Sequence, residues 1–121
     1  IFVYLCTGRH NGHGVEIHIV SPTYQPLPVT RVGDEPTGAL PEKPERFEEM
    51  VHIAEKISSP FPHVRVDLYY IQDRIRFGEL TFFNASGYML YEPDHFDELI
   101  GRLFLLPQDT HIYKNHKGGN E

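Results

Sequence analysis

Residues 64–83, VRVDLYYIQDRIRFGELTFF, set the charged residues Arg65, Asp67 and Glu79 among β-branched and aromatic residues. Such a composition reads as two strands of a hairpin. Side chains alternate faces along a strand. Val64, Val66, Leu68 and Tyr70 then share one face of the first strand, and Arg65, Asp67 and Tyr69 the other. Ile75, Phe77, Glu79, Thr81 and Phe83 share a face of the second. A turn centred on Asp73 puts Asp67 opposite Glu79 and Arg65 opposite Thr81, whereas a one-residue slip would separate the carboxylates. Like charges facing each other across a strand pair are destabilising. Three things relieve them: a proton held by one carboxyl, neutralisation by Arg65, or a divalent cation of the kind that takes carboxylate oxygens together with substrate phosphates. The plain alternative is a solvated surface ion pair.

The elements that must position these groups are legible on either side. Residues 1–6 and 14–20 are strand candidates, the second alternating Val15, Ile17 and Ile19 against Glu16 and His18. TGRHNGHG between them has the Gly and Asn of a hairpin connection. From 45 to 58, Phe47, Met50, Val51, Ala54 and Ile57 form one helical stripe, with Glu48, Glu49, His52, Glu55 and Lys56 facing water. Pro44 suits the first turn, and SSPFP stops the helix. A second helix is expected from about Pro93 to Phe104, with Phe96, Leu99, Ile100 and Leu103 on one face. Asp94 and Asp97 sit near its start, where they favour the dipole. The order of strands, helix, strands, helix predicts an α+β fold, an antiparallel sheet flanked by helices. A Pro/Gly-rich arm at 22–44 interrupts it as a long loop, either covering a substrate or lying on the surface. Residues 108–121 read as a flexible tail, which leaves 1–107 as the folded unit.

Composition narrows the function. The net charge of −6 argues against a nucleic-acid partner, which needs a basic footprint. Apolar runs are too short to span a bilayer. A single cysteine fits a reducing compartment. Ile1 stands inside an apolar run, which reads as the start of a fragment cut from a larger protein. Cys6, His10 and His13 have metal-like spacing, but a fourth ligand falls to Asn11 or distant His18, so they read as a strand cysteine and loop histidines. The Gly-rich TGRHNGHG lacks the Lys-Ser/Thr end and following helix of a phosphate loop. His63, His95, His111 and His116 read as solvated.

At RVD, a short turn, ELT and then SG, the chain resembles the C-terminal half of ATP-grasp enzymes, where one strand carries Asp and the next Glu-x-Asn. D-alanine–D-alanine ligases have a similar arrangement. The nearer resemblance is to the TupA-like ATP-grasp family of teichuronopeptide and cell-surface polysaccharide synthesis. It runs through AEKISSPFPHVRVDLYYIQDRIRFGELTFFNASGYMLYEP, covers residues 47–106, and is looser before them. It implies ATP and Mg²⁺ as cofactors, with Asp67, Glu79 and Thr81 as metal ligands. Thr81 stands where most ATP-grasp enzymes have Asn. Arg65 would meet the phosphates or the developing acyl-phosphate, as a planar donor fork does. Asn84, Ser86 and Gly87 would form the acceptor-side loop, with Asn84 and Ala85 in place of the usual Pro-Gly. The implied protein is a cytoplasmic, bacterial ATP-dependent ligase joining a carboxylate to an amine or glycan precursor of the cell envelope. Its missing N-terminal portion would bring the nucleotide's lysine and most adenine contacts. A phosphotransferase on the same fold, or a non-catalytic glycan-binding module, are the alternatives.

Overall fold

The computed structural model describes residues 1–8, 15–34 and 38–103. Its elements are β1 (Val3–Thr7), β2 (Glu16–Val20), β3 (Thr30–Arg31), α1 (Phe47–Ser58), β4 (Arg65–Ile71), β5 (Arg74–Thr81), a 3₁₀ turn at Asn84–Gly87, β6 (Tyr91–Glu92) and α2 (His95–Arg102). The fold is α+β. The strands form three two-stranded antiparallel ladders, β1–β2, β3–β6 and β4–β5, in place of the single sheet expected. His10, His13, His111, His116 and the tail at 108–121 lie outside the described residues.

The β1–β2 ribbon pairs Val3 with Val20 and Thr7 with Glu16, and it is covered on both faces. Ile19 joins Val29, Tyr91 and Phe96 on one side, with Phe2, Tyr4 and Met89 packed against them. Val20 joins Tyr24 and Phe47 on the other, with Val3, Leu5 and Val51. Two-sided burial explains a departure from the simple alternation: His18, expected to face water, is buried. Strands covered on both faces lose the polar alternation that a one-sided sheet shows.

The Pro/Gly-rich arm is not merely a surface loop. Its Tyr24 enters one core cluster and its Val29 the other. The Tyr24 hydroxyl donates to the Pro41 carbonyl at 3.0 Å, and Thr30 and Arg31 pair with Glu92 and Tyr91. Arg31 closes a bidentate pair on Asp34 at 2.8 and 2.6 Å.

Helix α1 keeps the expected stripe. Phe47 is buried edge-on to Tyr24, ring centres 4.8 Å apart. Phe47→Ala should therefore cost about 3–5 kcal/mol, the range for large-to-small changes in a core, read as a fall in denaturant midpoint. At the start of α1, Arg46 binds Glu49 at 2.7 Å and donates to the Asp73 carbonyl at 3.1 Å, which pins the β4–β5 turn to the helix. Ile53 and Ile57 face Leu68, Ile75 and Phe77 across an open groove. Helix α2 is shorter than expected. Phe96 is buried, but Leu99 and Leu103 are 52% and 67% exposed, so only half of its apolar stripe meets the core.

Candidate functional site

The β4–β5 turn is two residues, Gln72 and Asp73, both at positive φ (51° and 58°). That is the backbone of a tight hairpin whose twist matches its strands. Near the turn Ile71 pairs with Arg74, Tyr70 with Ile75 and Leu68 with Phe77. At the far end Val66 pairs with Leu80 and Arg65 with Thr81. Between these stretches a β-bulge sets Gly78 and Glu79 against the single residue Asp67. The turn is therefore not centred on Asp73, yet Arg65 still lies opposite Thr81, because the bulge adds the residue that the tighter turn removes.

The bulge also corrects the expected faces. Cross-strand partners share a face, so Ile75 and Phe77 point with Leu68 and Tyr70 towards α1. Glu79 and Thr81, expected on the same face as Ile75 and Phe77, instead turn to the opposite side with Asp67 and Arg65. Glycine at position 78 suits this close backbone approach. A Cβ there would lie 2.7 Å from the Tyr69 ring and 3.0 Å from the Asp67 carbonyl.

On that outer face Arg65 holds both carboxylates. Its Nε and Nη2 donate to Asp67 at 2.7 and 3.0 Å, and Nη2 also donates to Glu79 at 3.2 Å. Hydrogen bonding to Asp67 raises the Arg65 pKa above its ordinary value, against the opposing effect of burial. Of the three ways to relieve paired carboxylates, neutralisation by Arg65 is seen directly in these hydrogen bonds. The Asp67 side chain is 29% exposed and Glu79 64%, so the pair stands at the surface with one wall closed. The Thr81 hydroxyl lies 3.5 Å from the same Glu79 oxygen.

Asn84 also meets this cluster. Expected in an acceptor-side loop, it turns inward, its Oδ1 accepting from Arg65 Nη1. Its Nδ2 donates to the Met89 sulfur at 3.0 Å. Ser86 and Gly87 are exposed, and Ala85, Ser86 and Gly87 all have positive φ, a tight left-handed turn. Positive φ is costly for Ala and Ser, and such backbones gather at functional loops.

The sequence reading missed what lies behind Asn84. The Met89 sulfur is 3.2 Å from the hydroxyls of both Tyr4 and Tyr91, which hydrogen-bond each other. Burial pushes the Tyr91 hydroxyl up to about 12 from an ordinary 10.0, and the Asp97 charge adds to the rise. A phenol raised on folding contributes stability that is complete below its unfolded value and lost as pH climbs through the folded one. Thermal midpoints of the native protein should therefore fall between about pH 10 and about pH 12, more steeply than those of Tyr91→Phe.

Carboxylates and a hydroxyl are hard oxygen donors, the set that suits Mg²⁺, and the guanidinium between them stands in for a cation's charge. The donor set thus fits the ion. Among the described residues no group of three or more His, Cys, Asp and Glu side chains could hold a metal, so Thr81, water or phosphate must complete any shell. Cys6 is exposed on β1. No described helix is long and apolar enough to cross a membrane.

No curated protein and no solved structure matches the chain. A family model described as TupA-like ATPgrasp matches residues 24–105, which takes in α1, the whole hairpin, the 3₁₀ turn and α2.

Proposed function

Because the chain belongs to the TupA-like ATP-grasp family, we propose that it forms the magnesium-and-phosphate side of an ATP-dependent carboxylate ligase acting on cell-envelope polysaccharide or teichuronopeptide precursors in the cytoplasm. The observation that carries this reading is the meeting of Arg65, Asp67 and Glu79 on one half-open face. In the reaction, a substrate carboxylate oxygen takes the γ-phosphoryl group of ATP and releases ADP. An amine or hydroxyl of the acceptor then attacks the carbonyl carbon of the acyl-phosphate, phosphate leaves with the bonding pair, and the nucleophile gives up its proton.

Bound between Asp67, Glu79 and Thr81, Mg²⁺ would neutralise charge on the transferring phosphoryl group. The protein's own part is placement. Asp67 and Glu79 would hold the ion, and Thr81 offers a neutral oxygen beside Glu79. Arg65 presents a planar donor fork to phosphate oxygens, where charge-assisted hydrogen bonds are strong. No side-chain nucleophile is required. The turn at Ala85–Gly87 borders the site on the acceptor side.

The test is calorimetric titration of the protein with ATP, with and without Mg²⁺, followed by product analysis with candidate carboxylates and amines. Binding that needs Mg²⁺, and ADP release that needs both co-substrates, is the expected result. ADP release with phosphate carried on one substrate would make the protein a phosphotransferase, and no binding at all would leave a module that keeps only the fold.

A further inference from the structure

The Arg65 guanidinium has five N–H donors in a rigid fork, and its neighbours divide them by edge. The Nε and Nη2 edge is taken by Asp67 and Glu79. Nη1 goes to Asn84. The carboxylates and the asparagine thus hold different parts of the same group, and one set can be released without the other.

Asn84 itself is fixed from behind. Its amide is oriented by two unlike partners, a donor at Oδ1 and the Met89 sulfur at Nδ2. That sulfur rests on the hydroxyls of Tyr4 and Tyr91. Tyr91 is buried, and its ring packs edge-on to Phe2 and Phe96 at 6.0 and 5.4 Å. A line of contacts therefore runs from the packed core to the arginine, while the next residues of the same turn lie open to solvent.

We infer that Asn84 is a positioning residue that tethers Arg65, so that the arginine stays at hand for phosphate when a divalent ion takes the carboxylates. This rests on reading the hairpin face as the Mg·ATP face. Arg65 gives up three hydrogen bonds when Asp67 and Glu79 turn to a metal. A long side chain so released regains its rotamer freedom, and phosphate binding must then order it again. Held by Nη1, it loses little of its placement. The same arrangement makes Arg65 a competitor of the bare ion, since both neutralise the same carboxylates.

The test compares wild type, Asn84→Ala, Arg65→Met and the double variant, titrated with Mn²⁺ alone and with Mg·ATP. Asn84→Ala is expected to weaken Mg·ATP about ten- to a hundredfold, the span of a hydrogen bond to a charged group, with Mn²⁺ affinity unchanged or tighter. In the Arg65→Met background, removing Asn84 should add almost nothing, the non-additivity of residues acting through one another. A variant that had merely lost structure would weaken both ligands. An equal loss of Mg·ATP affinity in both backgrounds overturns the tether alone. Failure of wild type to bind Mg·ATP overturns the reading of the face, and the tether with it.

Discussion

Asp67→Asn, and separately Glu79→Gln, should weaken Mg·ATP binding at least about a hundredfold while leaving the fold almost as stable as before. The binding estimate starts from a lower bound. Altering only the groups that orient a metal's ligands costs roughly 10–100-fold in affinity, and here the ligand itself loses its charge. The stability estimate comes from exposure. Glu79 is 64% exposed, Asp67 29% and Arg65 32%. Ion pairs at such exposure contribute about 0–1 kcal/mol. The amide replacements keep the shape and an acceptor oxygen for Arg65. Calorimetry and thermal melts on the same samples give both quantities, with Glu55→Gln on the solvent side of α1 as the control. A fall in melting temperature matching the fall in affinity would mean that the carboxylates are structural.

Gly78→Ala should impair the same face without altering any charged group on it. The added methyl meets the Tyr69 ring at 2.7 Å and the Asp67 carbonyl at 3.0 Å. The ring can swing aside, being half-exposed; the carbonyl belongs to the strand and has to give by a few tenths of an ångström. Overpacking of this kind costs about 1–3 kcal/mol. The larger effect is on direction. If the hairpin escapes the clash by closing the bulge, Glu79 and Thr81 rotate towards α1 and the carboxylate pair is broken up. Mg·ATP affinity should then drop as far as in Glu79→Gln. Adding Tyr69→Ala should recover only part of the lost stability, because the carbonyl contact remains. Full recovery of both stability and affinity would show that the ring, and not the bulge, sets the geometry.

How much of this was legible depended on how local each signal was. Helix α1 declared itself through a stripe from Phe47 to Ile57, since its periodicity lies within one segment. The hairpin did so through its composition. The facing of Arg65 and Thr81 was read from a turn centre that is off by half a residue, and the bulge restored it. Its cue was present in Gly78, a glycine inside a strand next to a carboxylate, which marks a bulge or a close backbone approach. What stayed hidden was set by distant partners. His18 is buried because α1 and the arm cover a face that alternation assigns to water. Tyr24 and Val29 sit in a Pro-rich stretch whose order comes from β1–β2 and β6. Leu99 and Leu103 continue a helical stripe that the core does not use. Of the candidate site, Arg65, Asp67, Glu79, Thr81 and Asn84 converge, but Asn84 faces the arginine and the tyrosine–methionine shelf behind it had no signal in sequence.

That shelf joins Tyr4 to Tyr91, 87 residues further along the chain. The hairpin of Arg65 and Glu79, by contrast, closes over two residues. Short hairpins form in microseconds, whereas contacts between distant residues wait for the entropy of loop closure to be overcome. The two halves of the site therefore mature at different times: the charged face is drawn early by a local turn, and its anchor arrives only when the first strand meets β6. A nascent chain that has made the hairpin but not yet β6 carries its arginine and both carboxylates without the shelf that holds Asn84, and is chemically furnished before it is mechanically finished.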